Sequence, residues 1–95
     1  KGDSFGKVVT VEITPNTAVF LPQGVANSFQ TLEPDTYYLY SVNAHWSADN
    51  YDSYCFVNLA DPTVNVQWPI NLDEAIVSDR DRNHPLLSEI NPMEI

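Results

Sequence analysis

The sequence predicts an all-β domain, whether an antiparallel sandwich, a barrel or a jelly roll, on three observations. Short runs rich in Val, Ile, Thr, Tyr and Phe alternate with turn signals along the chain. Most of the seven prolines flank these runs, where the missing N–H and fixed φ of proline disturb a sheet least. No window of about 11 residues before the tail shows helical periodicity.

Six of these runs are the predicted strands: residues 7–13, 17–21, 25–32, 36–42, 53–59 and 64–68. The first run alternates, which places Val9, Val11 and Ile13 on one face. Pro22-Gln23-Gly24 predicts a tight turn after the second run, with Pro at its second position and Gly at its fourth. Glu33-Pro34-Asp35 predicts the turn before the fourth run.

The composition changes after Pro69, and residues 71–95 are typical of a charged loop with short helical turns. Ser78-Asp79-Arg80-Asp81 predicts one such turn, with Ser78 as its N-cap and Asp81 at the third helical position. We expect this turn to end at His84-Pro85, to leave His84 on the surface, and to be followed by another at residues 86–90. The chain therefore divides into strands over residues 1–70 and a tail over residues 71–95 that ends in a linker.

The charge balance excludes whole classes of partner. Thirteen acidic residues against four basic ones give a net charge of −9. We expect neither nucleic acid nor a membrane as a partner, because a phosphate backbone or an anionic bilayer needs a basic face. No apolar run approaches the ~18 residues that a membrane helix needs.

The cysteine and histidine content argues against a disulfide and against a metal site. Cys55 is the single cysteine; it fits a reducing compartment, and its apolar neighbours predict a small buried hydrophobe. His45 and His84 are the two histidines, and they stand far apart in the chain. They do not form the closely spaced ligand set that a metal site requires, so we expect no metal.

Six strands do not close a jelly roll, which takes about eight. The open strand edges are expected to pair with another chain, as a homodimer or by self-association. The sequence also begins without Met and without an apolar leader. We therefore expect the chain to be the back half of a barrel and part of a longer protein.

Several motifs together resemble dTDP-4-dehydrorhamnose 3,5-epimerases in order and spacing over nearly the whole chain. They are Gly6-Lys7, Phe20-Leu21-Pro22-Gln23-Gly24-Val25-Ala26-Asn27-Ser28-Phe29, Leu39-Tyr40-Ser41-Val42-Asn43-Ala44-His45-Trp46-Ser47, Asn58-Leu59-Ala60-Asp61-Pro62, Trp68-Pro69-Ile70 and Ser78-Asp79-Arg80-Asp81. The tail is similar to the form of this epimerase that is fused to a dehydrorhamnose reductase. The resemblance implies the C-terminal half of a cupin-type jelly roll, a homodimer, no cofactor, and a place in cytoplasmic dTDP-rhamnose synthesis.

The resemblance also implies a reaction. The family epimerises two carbons beside the 4-keto group of a nucleotide-linked deoxysugar. The keto group acidifies both neighbouring C–H bonds, so a base removes a proton and an acid returns one on the other face. In the family the base is a histidine in an Arg-Gly-Leu-His-like segment that this chain does not contain, so we expect the chain by itself to be inactive.

Asp81 matches the family aspartate that hydrogen-bonds the catalytic histidine, and helix capping is its alternative role. Trp46 stands where the family usually has a tyrosine acid, but an indole N–H is not a usable acid. The proton then comes from His45, or from Tyr51 or Tyr54, or else this branch inverts fewer centres. Trp46 would otherwise be a wall residue.

Three further residues are candidates for substrate contact under the resemblance. Asn27 stands where many members have a histidine that lines the sugar pocket, and its amide can hydrogen-bond a keto oxygen without titrating. Phe29 belongs to the same motif, and Tyr40 belongs to an aromatic run that can stack a base or a sugar. Turn, core and sheet-surface positions are the alternatives for all three.

Two other functions stay open on the sequence. A β-sandwich carbohydrate-binding module would use Trp46, Trp68 and the tyrosines as an exposed stacking platform, and a cupin-fold protein that has lost catalysis would keep only the scaffold. The epimerase interpretation instead turns Trp46 and Asn27 inward, near Asp81. The exposure of Trp46 is the simplest observation that bears on this choice.

Overall fold

Three short helices make up the regular secondary structure of residues 3–92, the part of the chain that this computed structural model describes. A 3-10 helix spans Ala48–Ser53, an α-helix (α1) spans Asp79–Arg82, and a second 3-10 helix spans Leu87–Glu89. The last three residues of the predicted tail lie outside the described residues. No helix within residues 3–92 is long and apolar enough to cross a bilayer.

The six predicted strands are not formed within residues 3–92, where the structure has turns and extended segments without strand pairing. Backbone hydrogen bonds in the first half close local turns instead, such as the bond from the Thr17 N–H to the Thr14 carbonyl. A strand exists only where a second strand accepts its ladder of hydrogen bonds. The alternating pattern thus specifies which face of a run is apolar, but it does not supply the neighbouring strand.

The apolar faces of these runs are uncovered. The described chain exposes 8664 Å² of accessible surface, against about 5,500 Å² expected for a folded monomer of this mass. Phe20, Tyr37 and Leu39 are 88%, 92% and 92% exposed, and no apolar side chain is buried among the described residues. Cys55 is exposed as well, so the prediction that it is buried is wrong; no core forms around it.

The turns between the runs form where the sequence predicts them. The Val25 N–H donates to the Pro22 carbonyl at 3.3 Å, and Gly24 has φ of 88°. This is the geometry of a turn with a left-handed third residue, so Pro22 is its first residue and Gly24 its third. The turn therefore begins one residue later than predicted. Asp35 also takes a positive φ, of 59°, in the predicted turn before residues 36–42.

One side chain ties residues 25–32 to the later part of the chain. The Gln30 amide forms two bonds with the backbone of Ile70: Nε2 donates to the carbonyl oxygen and Oε1 accepts from the N–H, each at 2.9 Å. A glutamine amide presents one donor and one acceptor side by side, as a strand residue does. Gln30 therefore stands in for the backbone partner that Ile70 would have in a sheet.

Asn58 and Asp61, here called the Asn58–Asp61 clamp, hold the segment that follows α1. Asn58 Nδ2 donates to the carbonyls of Arg82 and His84 at 3.1 and 2.9 Å. The Asn58 N–H donates to the Pro85 carbonyl at 2.8 Å. One residue thus satisfies the carbonyl at the end of α1 and two carbonyls of the irregular residues that follow it.

Asp61 completes the clamp and is the buried polar side chain of the described residues, at 2% exposed. Its Oδ2 accepts from the N–H of Leu87, which opens the second 3-10 helix, and its Oδ1 accepts from the N–H groups of Thr63 and Val64. The Leu87 N–H is the largest influence and lowers the pKa of the Asp61 carboxyl; burial opposes it, and the Val64 and Thr63 N–H groups reinforce it.

We predict that Asp61→Asn loosens this region, because an amide cannot accept with both of its terminal atoms. Amide hydrogen exchange at Leu87 and Thr63 should become several-fold faster at neutral pH. In the wild-type chain, a lowered folded-state pKa means that the stabilisation is present above ~4 and is lost as the pH falls below it, whereas the variant should lack this acid dependence. Asp73→Asn, at an exposed carboxylate, is the matched control; equal exchange in both variants would contradict the role of Asp61.

We also predict that Asn58→Asp destabilises the chain by about 1–3 kcal/mol, because a carboxylate of the same shape cannot donate to the Arg82 and His84 carbonyls. Chemical denaturation measures the loss. Asn43→Asp adds the same charge at an exposed bend and should have little effect. If both variants unfold at the same denaturant concentration, Asn58 does not hold residues 82–87.

Candidate active site

α1 positions Asp81, and its start follows the predicted capping pattern. The Ser78 hydroxyl accepts from the Asp81 N–H at 3.1 Å, which confirms Ser78 as the N-cap. The Arg82 guanidinium donates to the carbonyls of Leu72 and Ala75, each at 3.2 Å, and so fastens the last turn to the preceding loop. Asp81 therefore projects from a helical turn that is held at both ends.

The Asp81 carboxylate forms a hydrogen bond with His84 and does not accept one from the Ser78 N–H, as it would in a capping box. His84 Nε2 lies 3.1 Å from Asp81 Oδ1, and the two side chains are 11% and 51% exposed, respectively. His84 lies two residues beyond the end of α1, where the Asn58 bonds to the Arg82 and His84 carbonyls hold its backbone next to the helix. The capping is done by the Ser78 hydroxyl, and the carboxylate is left for another role.

His84 is not a surface residue, so that prediction is wrong. Its ring stacks on Phe56, with centroids 4.5 Å apart and planes only 4° from parallel. The Asn58 amide also binds the His84 carbonyl. Sequence reasoning missed His84 because Phe56 and Asn58 are distant in the chain, although its i,i+3 spacing from Asp81 was a usable signal.

The aromatic stack continues beyond Phe56. Tyr51, within the 3-10 helix Ala48–Ser53, lies with its ring centroid 5.1 Å from that of Phe56, and the Arg80 guanidinium carbon lies 5.3 Å from the Tyr51 ring centroid. Arg80 is the residue before Asp81, so the stack returns to α1. Tyr54 also contacts Phe56, edge-on at 6.4 Å, so Tyr51 and Tyr54 are each separated from the Asp81–His84 pair by that single ring.

The other predicted site residues lie apart from Asp81. Trp46 is 66% exposed, and His45 and Asn27 are exposed as well. Within residues 3–92, none of the three has a hydrogen bond or ring contact with Asp81. The expectation that Trp46 and Asn27 face inward is not met in a chain that has no closed interior, and their proposed roles remain predictions.

Phe29 and Tyr40 are linked through a residue between them. The Phe29 ring stacks on Tyr38 at a centroid distance of 3.9 Å, and Tyr38 lies 6.0 Å from Tyr40. These rings form a continuous aromatic row on residues 29–40. Trp68, in contrast, is half-buried and donates from its indole N–H to the Leu59 carbonyl at 3.0 Å, so it does not share an exposed platform with Trp46.

The chemistry available around Asp81 is that of a hydrogen-bond acceptor. Two shallow grooves flank residues 85–92, and neither is lined by Asp81. The described residues contain no cluster of three or more His, Cys, Asp or Glu side chains that could hold a metal. A half-exposed carboxylate with one oxygen bound can still accept an N–H, such as that of an imidazole, on the other oxygen.

Comparison with known proteins agrees with these motifs. Residues 1–89 match the dTDP-4-dehydrorhamnose 3,5-epimerase family. The chain is 44% identical over 94 residues to a protein of Streptococcus pyogenes serotype M6 described as an RmlC homolog, covering 99% of this chain and 47% of the relative. No solved structure gives a significant match.

Two relatives with named activities match over a similar span. A dTDP-4-dehydro-6-deoxyglucose 3-epimerase of Streptomyces is 32% identical over 87 residues, which cover 90% of this chain and 42% of the relative. A dTDP-4-dehydrorhamnose 3,5-epimerase of Sinorhizobium fredii is 29% identical over 89 residues, which cover 92% of this chain and 44% of the relative.

The chain spans about half the length of the curated relatives that it matches. Membership of this family implies a cupin fold for the complete protein, of which the helical turns and unpaired runs described above are a part. With residues 1–89 covered by the family match and the motif series in order, the chain belongs to the dTDP-4-dehydrorhamnose 3,5-epimerase family.

Proposed function

We propose that this chain is the C-terminal half of a nucleotide-sugar epimerase that inverts carbons beside the 4-keto group of a dTDP-4-dehydro-6-deoxyhexose. The supporting observation is the Asp81 carboxylate: it projects from a capped helical turn, its Oδ1 is bound to His84, and half of its side chain is exposed. The carboxylate is therefore oriented and accessible, as a residue that assists a catalytic imidazole must be.

In the proposed reaction a histidine from the other half of the fold removes the proton beside the ketone. The resulting imidazolium is adjacent to the Asp81 carboxylate, which fixes the tautomer of the ring and stabilises its positive charge. The enolate is then protonated on its opposite face. Asp81 touches the base and never the sugar, so its contribution is to the rate of proton transfer rather than to substrate binding.

For the proton donor, the packing favours Tyr51 and Tyr54 over Trp46 and His45, and Tyr51 packs closer to Phe56 than Tyr54 does, with ring centroids 5.1 against 6.4 Å apart. Tyr51 belongs to the stack that includes Phe56, which covers His84, the partner of Asp81. A phenol titrates and can both give and take a proton, which the indole of Trp46 cannot. His45 has no contact of this kind among the described residues. Asn27, Phe29 and Tyr40 are proposed to line the sugar and nucleotide, with the aromatic row as a stacking surface.

The chain is proposed to act only in company with a complementary half. It exposes about 3,000 Å² more than a folded monomer of its size does. That excess lies in the range of interfaces in obligate assemblies. The complement is the other half of the family fold in the complete protein, and a second copy of this chain when it is alone. The complete protein is proposed to be a cytoplasmic homodimer.

We predict that this chain alone, mixed with dTDP-4-dehydro-6-deoxyglucose in heavy water, incorporates no deuterium into the sugar. The full-length enzyme should exchange the proton at one or both carbons beside the ketone, and NMR counts the centres inverted. In that enzyme Asp81→Asn should lower kcat by roughly 10²–10⁴-fold.

Asp79→Asn, on the same helical turn, is the matched control and should leave kcat unchanged. Clear exchange by the isolated chain would show that it holds its own base. Equal losses in the two aspartate variants would remove Asp81 from the mechanism. A full-length protein that exchanges no sugar proton would overturn the proposed function itself.

We further predict that the isolated chain self-associates through the apolar faces of residues 7–42, so sedimentation velocity should report species larger than the monomer. The double variant Val9→Lys with Leu39→Lys places charges on two exposed apolar positions and should reduce association. Ile76→Lys, at an exposed position outside the predicted strands, is the control. A monodisperse wild-type monomer would contradict this proposal.

A further inference from the structure

His84 is closely packed and hydrogen-bonded, and it takes no direct part in the proposed proton transfer. Its side chain is 11% exposed, although it follows a short helix on a charged tail. Phe56 covers one face of the His84 ring, with ring centroids 4.5 Å apart and ring planes 4° from parallel. Such near-parallel stacking of a histidine on an aromatic ring restricts rotation about its side-chain bonds.

The backbone around His84 is held as firmly as its ring. Asn58 donates hydrogen bonds to the carbonyls of Arg82, His84 and Pro85, so the backbone of His84 and of the residues on either side of it is held by Asn58. Phe56, which stacks on the His84 ring, lies two residues before Asn58 in the same segment. Ring and backbone are therefore positioned by a single segment, residues 56–58, and cannot shift independently.

The bond from His84 to Asp81 assigns a direction to the pair. An ionised carboxylate only accepts hydrogen bonds, so Nε2 of His84 carries the proton and donates to Oδ1 at 3.1 Å. Among the described residues no donor reaches Asp81 Oδ2, and half of the Asp81 side chain is open to solvent. One oxygen is thus fixed by this chain, and the other is left for a donor from outside it.

We propose that His84 is a positioning residue for the epimerisation: it holds the Asp81 carboxylate so that Oδ2 is presented to the catalytic imidazole of the other half. This inference rests on the proposed function. His84 is assigned this role and not that of the base, because its side chain is only 11% exposed and Phe56 covers one face of its ring, which leaves a sugar carbon little access to Nδ1. A carboxylate free to rotate would lose the alignment on which proton transfer depends.

Two substitutions separate the hydrogen bond from the packing. His84→Phe keeps an aromatic ring for Phe56 to stack on but removes the donor to Asp81. His84→Gln loses the ring but keeps an amide N–H that can reach Oδ1. In the full-length enzyme we expect His84→Phe to lower kcat by roughly 10–100-fold with KM nearly unchanged, as for the loss of a residue that orients a reacting group. His84→Gln should recover most of that activity.

A double-variant cycle with Asp81→Asn tests whether His84 acts through Asp81. If it does, His84→Phe should cause little further loss once Asp81 is already asparagine. A purely structural His84 would instead give losses that multiply, and His84→Gln would be as impaired as His84→Phe. Thermal unfolding of each variant, compared with Ser88→Ala on the neighbouring exposed turn, measures any general destabilisation.

The outcomes separate this inference from the proposed function. Wild-type enzyme that exchanges sugar protons, together with unchanged kcat in His84→Phe, overturns the positioning role alone. Multiplying losses in the double variant, or a failure of His84→Gln to recover activity, also overturns it. Wild-type enzyme that exchanges no sugar proton overturns the proposed function and the positioning role with it.

Discussion

The described structure depends on how the backbone from the end of α1 at Arg82 to the start of the second 3-10 helix at Leu87 finds hydrogen-bond partners without a sheet. Asn58 and Asp61, three residues apart in the chain, supply these partners. Asn58 donates to carbonyls, and Asp61 accepts from N–H groups. Charged acceptors make stronger bonds than neutral ones, which suits the buried Asp61. Asp81 and His84 are in place because this clamp holds the chain on which they sit.

Residues 7–42 show the opposite situation. They carry the apolar alternation of strands, but their backbone has no ladder partner and their side chains have no core. The two halves of the chain therefore differ in what they need: side chains of the later half satisfy its own backbone, and the earlier half needs strands from elsewhere. This difference is consistent with a chain that spans about half the length of the relatives it matches.

This division has a consequence for the proposed catalysis. A reaction that needs a base and an oriented carboxylate can be shared between two halves of a fold, provided that each half fixes its own group before they meet. Here the carboxylate side is arranged in advance: Ser78 caps the turn, His84 binds one oxygen of Asp81, and Phe56 and Tyr51 stack beneath them. Closing the barrel would then bring an imidazole to a carboxylate that is already aligned.

The sequence by itself determined the features that depend on neighbouring residues. The Ser78 cap and the family motifs are local signals, and the structure or the family match confirmed each of them. A turn at Gly24 was also a local signal, although it begins one residue later than predicted. Tertiary structure alone decided the burial of Asp61 and the stacking of His84 on Phe56, since their partners lie more than 20 positions away in the chain. It also decided the exposure of Cys55, because a core around Cys55 would need residues from elsewhere in the fold. Whether a run becomes a strand was also beyond the sequence of this chain, because half of every ladder bond belongs to another strand.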